Sequence, residues 1–158
     1  MTQGNFIGVG GLVVRDNSYL LVRHTYGEYR GFWILPGGHV KAGEPLHKAV
    51  ERELLEETRV KTQSQGIVTV RSRSRSSSTT DCYIVFLMKY IEGEPISDKH
   101  EVDDARFFTF EELNRLDNVV VLSRIIVQEH ARGNLRFLPR NTKHVPYLPD
   151  KEEAQLFM

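Results

Sequence analysis

Three glutamates within five residues, Glu53, Glu56 and Glu57, lie in a stretch from Leu46 to Thr58 that lacks Gly and Pro and is built from strong helix formers. With Glu53 at 0° and about 100° per residue, Leu46 falls at about +20°, Val50 at about +60°, Leu54 at about +100°, Ala49 at about −40° and Glu57 at about +40°. The apolar stripe of the first half therefore runs into Glu53 and Glu57, which take positions that an amphipathic helix gives to core side chains, and Glu56 flanks them. Unpaired carboxylates in such a place are costly, so a converging set calls for a cation or a strongly raised pKa. With one cysteine in the chain and no HxxxH pair, the donors available are hard oxygens, which suit Mg2+ or Mn2+ better than Zn2+. Arg52, about 100° around the helix, is the alternative partner, able to pair with one carboxylate and orient it. Against this stands the plain reading of ERELLEE as a solvated helix face, which only its surroundings can decide.

The elements around this helix follow from periodicity and turn chemistry. Residues 6–14 (FIGVGGLVV) and 19–23 (YLLVR) read as two strands joined at Arg15-Asp16-Asn17-Ser18. Residues 24–43 hold six of the residues that punctuate structure, Gly27, Gly31, Pro36, Gly37, Gly38 and Gly43, and read as a long structured loop of the kind that carries function. Pro45 suits the first turn of the helix that follows, and Glu44 sits at the positive end of its dipole. Gly66–Val70, Cys82–Ile91 and Ala105–Phe110 read as strands, Phe110–Leu116 and Val119–His130 as helices. Pro139, Pro146 and Pro149 exclude a long helix or a central strand from the tail. Interspersed strands and helices after an opening hairpin predict an α/β sandwich, a mixed sheet with helices on both faces, in a single domain over 1–158 with a proline-punctuated tail from 137.

Gly38, Glu44 and then Arg52-Glu53-Leu54-Leu55-Glu56-Glu57-Thr58-Arg59-Val60 resemble the signature of the Nudix hydrolases, at its fixed spacing over residues 38–60. Eight of nine defined positions match, and Trp33-Ile34-Leu35-Pro36-Gly37-Gly38 is similar to the segment that leads into that signature. The resemblance implies a Nudix-like α/β/α sandwich that hydrolyses a pyrophosphate bond in a nucleoside diphosphate linked to a second group, with Mg2+ or Mn2+. It implies Glu53, Glu56 and Glu57 as metal ligands together with the carbonyl of Gly38, Arg52 and Glu44 as the residues that orient them, and Glu53 or Glu101 as general base. One position departs: Arg59 stands where the family has glycine. That glycine ends the helix in a left-handed conformation unfavourable to arginine, so an altered helix end is expected, with the carboxylate site retained.

Other residues are candidates for substrate contact. Arg71, Arg73 and Arg75 alternate with serines in RSRSRSSSTT, so a strand continuing through them puts all three guanidiniums on one face, where they could bind phosphate; the alternative is a solvated, mobile arm. Arg23 and Arg30 flank the glycine-rich loop. Of its aromatic residues Tyr26 and Tyr29 are stacking candidates and Trp33 is a core plug. The six histidines lack metal-ligand spacing, and Cys82 is expected to be a buried thiol.

Composition bounds the partners. The chain has 158 residues, 21 Lys plus Arg against 21 Asp plus Glu, 40% apolar and 27% charged. Zero formal charge provides no global field for nucleic acid or anionic membrane, so any such binding is local. A single cysteine excludes an intrachain disulfide, and the absence of an 18-residue apolar run or a leader pattern predicts a cytoplasmic protein without a membrane span. A homodimer could use Val119–Val127 or the tail. The family's markers leave the substrate open. The proline of ADP-ribose-type members is replaced by the Arg75-Ser76-Ser77 region, the tyrosine of dinucleoside polyphosphate members is out of place, and the extended motif of NADH-type members is missing. Nucleoside triphosphates, nucleotide sugars and an RNA 5′ end remain, the rival reading being a Nudix-like module that binds nucleotide or RNA without cutting it.

Overall fold

The computed structural model describes residues 5–141 and 156–157. Strands β1 (Phe6–Arg15) and β2 (Ser18–His24) form the opening hairpin. Its two turn residues, Asp16 and Asn17, both have positive φ, the geometry that matches the twist of paired strands. The glycine-rich stretch, expected as loop throughout, contains two short strands, β3 (Trp33–Ile34) and β4 (Gly37–His39). β4 pairs with the first half of β1 where β2 has left it, with Gly8, Val9 and Gly10 opposite His39, Gly38 and Gly37. Helix α1 (Leu46–Thr58) follows, then β5 (Lys61–Ser76), β6 (Thr79–Glu92), β7 (Val102–Thr109), α2 (Phe110–Arg115), α3 (Val121–Ala131), β8 (Leu138–Asn141) and β9 (Leu156–Phe157).

The sheet runs β3-β2-β1-β6-β5-β8-β9, with β4 on β1 and β7 on β2. It is mixed: β1 and β6 are parallel and the remaining pairs antiparallel. Alternating side chains of the central strands feed two cores. Val9, Val13, Ile84, Phe86 and Met88 pack on Ala49, Val50 and Leu54 of α1, while Leu12, Leu21 and Val85 pack on Trp33, Phe108, Leu113, Ile126 and Val127 on the side of α2 and α3. This is the α/β sandwich expected from the order of elements. Trp33, 2% exposed, is the plug that was foreseen, its ring edge-on to Phe108 at 4.6 Å.

One alternative is settled and one expectation corrected. The Arg/Ser stretch is strand, not loop: β5, 16 residues long, continues through it as the exposed arm of a hairpin, and only Ser77 and Ser78 separate it from β6. Nor is the end of α1 altered. Arg59 itself takes the left-handed conformation, φ 60° and ψ 7°, and its N–H closes the helix on the Leu55 carbonyl at 3.0 Å. Of the tail, β8 pairs with β5 and β9 with β8; Pro146 and Pro149 lie outside the described residues.

Candidate active site

Helix α1 is anchored by Ala49, Val50 and Leu54, each fully buried, and that packing fixes which face the carboxylates present. Glu53 is 9% and Glu57 2% exposed. Glu57 Oε2 accepts the N–H of Gly37 at 2.9 Å, while its Oε1 is buried without a partner among the described residues. Gly38 lies directly over Glu53, where a Cβ would stand 2.6 Å from the carboxyl carbon. A side chain at 38 would push the strand and the carboxylate apart, and glycine lets the backbone carbonyls of this strand come close to them.

Glu56 faces outward, its side chain 54% exposed. In this arrangement Glu56 stands apart from Glu53 and Glu57, and among the described residues no three His, Cys, Asp or Glu side chains are gathered closely enough to hold an ion. The cation at the centre is the guanidinium of Arg52. Its Nε and Nη2 donate to Glu44 at 2.7 and 2.8 Å, its Nη1 to Glu53 at 2.7 Å and to Glu56 at 3.0 Å, and Nη2 also to the His39 carbonyl at 3.0 Å. Mutually repelling carboxylates are held around one fork, and Glu56 swings out to reach it.

The charge states follow from these surroundings. Burial pushes the Glu57 carboxyl up to about 8, the Gly37 N–H working against it and the charge of Glu53 with it. Burial also raises Glu53, with Arg52 opposing. Hydrogen bonding to Arg52 holds Glu44 down at about 2. Glu101 joins the same field, since its charge raises both Glu53 and Glu57. It is exposed, on a loop pinned from two directions. Asp98 accepts the N–H groups of His100, Glu101 and Val102 at 2.9 to 3.1 Å, and Thr25 reaches the carbonyls of His100 and Glu101. The Tyr26 hydroxyl donates to Glu101 Oε2 at 3.3 Å.

The other residues singled out from the sequence divide. Arg71 and Arg73 converge on Asp81, while Arg23 is engaged elsewhere, donating to Asp103 at 2.8 Å with its guanidinium 5.5 Å from the Trp33 ring centroid. Tyr29 is half-buried. Cys82 is half-buried. Sequence reasoning missed Asp81, Asp98 and Tyr83. Tyr83 lies across a floor made by Gly8 and Gly10, where a Cβ at Gly10 would collide with its hydroxyl; burial raises that hydroxyl's pKa, and Glu57 raises it further. Glycines at alternate positions inside a strand mark such a close approach, and that was the available signal.

Comparison with known proteins completes the description. A family model for the NUDIX domain matches residues 4–128. The chain is 31% identical over 127 residues to an ADP-ribose pyrophosphatase of Methanocaldococcus jannaschii, covering 80% of this chain and 73% of that one. It is 29% identical over 115 residues to the NAD-capped RNA hydrolase NudC of Escherichia coli, of whose length it spans 43%. The structure superimposes on a MutT NUDIX hydrolase from Burkholderia pseudomallei with a TM-score of 0.68 at 26% identity, over 80% of this chain and 97% of that one. A NUDIX hydrolase from Nitrosomonas europaea, at 22% identity and a TM-score of 0.73 over 87% of this chain and 78% of that one, shares the fold. The matched region takes in the glycine strand, α1 and the Glu101 loop, and the chain belongs to the NUDIX family, as a hydrolase of pyrophosphate bonds.

Proposed function

We propose that this protein is a Mg2+- or Mn2+-dependent hydrolase that cuts the pyrophosphate bond of a nucleoside diphosphate joined to a second group. The observation that carries the reading is Glu57, a carboxylate 2% exposed with one oxygen lacking a partner among the described residues, next to a second buried carboxylate on the same helix face. An oxygen-only set of this kind fits a hard divalent ion. Glu53, Glu56, Glu57 and the Gly38 carbonyl would hold it, Glu56 turning inward from Arg52. When bound, the ion supplies charge neutralisation for the phosphate oxygens and a lowered pKa for water.

The chain's own residues do the rest. Arg52, fixed by Glu44, sets the positions of Glu53 and Glu56 and opposes the burial that raises the Glu53 carboxyl. Glu101, with Oε2 steadied by Tyr26, accepts the proton of the attacking water through its other oxygen. A new oxygen–phosphorus bond forms, the bridging bond breaks, and the leaving phosphate departs with the electron pair. Glu53 is the alternative base, although its hydrogen bond to Arg52 lowers its basicity.

A substrate panel tests the reading. ATP, ADP-ribose, a UDP-sugar and NAD-capped RNA are each incubated with Mg2+ and the products identified. Release of a nucleoside monophosphate or phosphate, abolished by EDTA and by Glu57→Gln, is the expected result. Nucleotide binding without release from any substrate would replace the enzyme with a binding module.

A further inference from the structure

The β5–β6 arm carries a charge arrangement that the carboxylate chemistry does not use. Asp81, 2% exposed, accepts from Arg71 Nη2 through Oδ1 at 2.6 Å and from Arg73 Nε through Oδ2 at 2.8 Å. One carboxylate thus fixes two guanidiniums, and the cluster keeps a surplus of one positive charge. Arg73 spends only its Nε on Asp81, so the four N–H bonds of its terminal fork have no acceptor among the described residues. Arg71 lies over the Tyr83 ring, 5.4 Å from its centroid, and Tyr83 lies over Gly8 and Gly10. Register places these groups together: Arg73 is opposite Asp81 and Arg71 opposite Tyr83 on β6, with Phe6 and Gly8 alongside on β1. Arg75 adds a third guanidinium, 5.5 Å from the Phe6 ring, and that ring meets His39 edge-on at 4.3 Å, beside Gly38. The arm's surplus positive charge therefore begins where the carboxylate site ends, with Tyr83 between them.

We propose that Arg71 and Arg73, held on Asp81, form a subsite for a further phosphate, one joined beyond the pyrophosphate that is cut. This rests on the hydrolase reading. A guanidinium fork with its carbon fixed and its terminal N–H groups free matches two phosphate oxygens and loses little side-chain entropy on binding, because the buried aspartate has already ordered it. The phosphates undergoing reaction belong beside Glu53 and Glu57, on the other side of Tyr83, so the group on the arm is a different one. The substrate class this selects carries three or more phosphates in a chain, in preference to two-phosphate nucleotide sugars or ADP-ribose.

The test compares ATP with ADP-ribose, the second lacking the extra phosphate, in wild type, Arg73→Gln, Arg71→Lys and, as a charge control at the end of α3, Arg132→Gln. Arg73→Gln is expected to raise KM for ATP at least tenfold with kcat little changed, and to leave KM for ADP-ribose within twofold. Arg71→Lys, which keeps the charge and loses the fork, is expected to fall between, and Arg132→Gln to move neither. Equal effects on both substrates, or none, overturn the subsite. A triple variant, R71Q/D81N/R73Q, avoids leaving Asp81 buried and unpaired, and must show the same selective loss with a retained thermal transition. Calorimetric titration with ATP and with AMP in EDTA separates this proposal from the reading on which it rests. Tighter binding of ATP than AMP that falls tenfold in Arg73→Gln supports the subsite even if no nucleotide is turned over. ATP binding unchanged by Arg73→Gln overturns it even if the enzyme is active.

Discussion

The two charged clusters of this molecule are inverses of each other. At α1 one arginine, Arg52, is shared by three carboxylates, with Glu57 and Glu101 adding to the negative field. On the β5–β6 arm one carboxylate, Asp81, is shared by two arginines. Each cluster orders its members through a single central partner, and each is left with charge that its own residues do not balance. The first calls for a cation and the second for an anion. Under the proposed function, a polyphosphate brought in with a divalent ion would satisfy both at once.

The comparison is broken most severely at the carboxylate end. Glu57→Gln keeps the shape of the side chain and removes the charge, and turnover is expected to fall by about a thousandfold or more, measured with saturating Mg2+. Its thermal stability without metal should rise, because the wild-type carboxylate is buried with one oxygen unpaired. Loss of activity accompanied by loss of folding would mean that Glu57 is a structural group instead.

Glu101→Gln comes next. A general base supplies roughly a hundredfold to ten-thousandfold, so kcat should fall within that range while KM moves little. Tyr26→Phe, which frees one oxygen of Glu101, is expected to lower kcat about tenfold, the size of effect typical of a group that orients another. An unchanged rate in Glu101→Gln assigns the proton transfer to Glu53.

A smaller effect appears in the pH dependence of stability. The Glu57 carboxyl is raised in the folded protein to about 8 from an ordinary 4.5. Between those values the folded state holds a proton that the unfolded state has released, so stability is greatest below the unfolded pKa and declines as pH rises towards the folded one. The Tm of metal-free protein should fall by about 10 °C between pH 5 and pH 8, and Glu57→Gln should flatten that slope. Asp81 works in the opposite direction: burial alone would raise its pKa, the two arginines outweigh it, and its contribution is lost only in acid, as pH drops through its lowered value.

The sequence showed the α1 end of this comparison more clearly than the arm. Helical periodicity is local, so the inward placement of Glu53 and Glu57 could be read from thirteen residues, and the order of strands and helices was enough for the sandwich. The outward turn of Glu56 depends on where Arg52, Glu44 and His39 meet in space, which spacing along one helix does not contain. The arm depends on register. Arg71 and Arg73 acquire their partner only because β5 pairs with β6 through Asp81, and a one-residue slip would leave the arginines and the aspartate on opposite faces. Tyr83 meets the site through Gly8 and Gly10, on a strand more than 70 residues away.

The mildest perturbation falls at the junction of α1 and β5, where arginine replaces the family's glycine. Arg59 already occupies the left-handed conformation, so Arg59→Gly changes no backbone angle. Relief of the left-handed penalty contributes about 1 to 2 kcal/mol. Glycine's greater freedom in the unfolded chain takes back about 0.4 to 1 kcal/mol, and loss of a cation from the helix C-terminus removes about 0.3 kcal/mol more. The balance lies between no gain and a gain of about 1 kcal/mol, so Tm is expected to rise by no more than a few degrees. Turnover should stay within twofold, because the carboxylates are placed by Ala49, Val50 and Leu54 and by Arg52, all of which precede the substitution. A variant that gained activity by orders of magnitude would show that the helix end, and not the packing of its first turns, sets the geometry of the site.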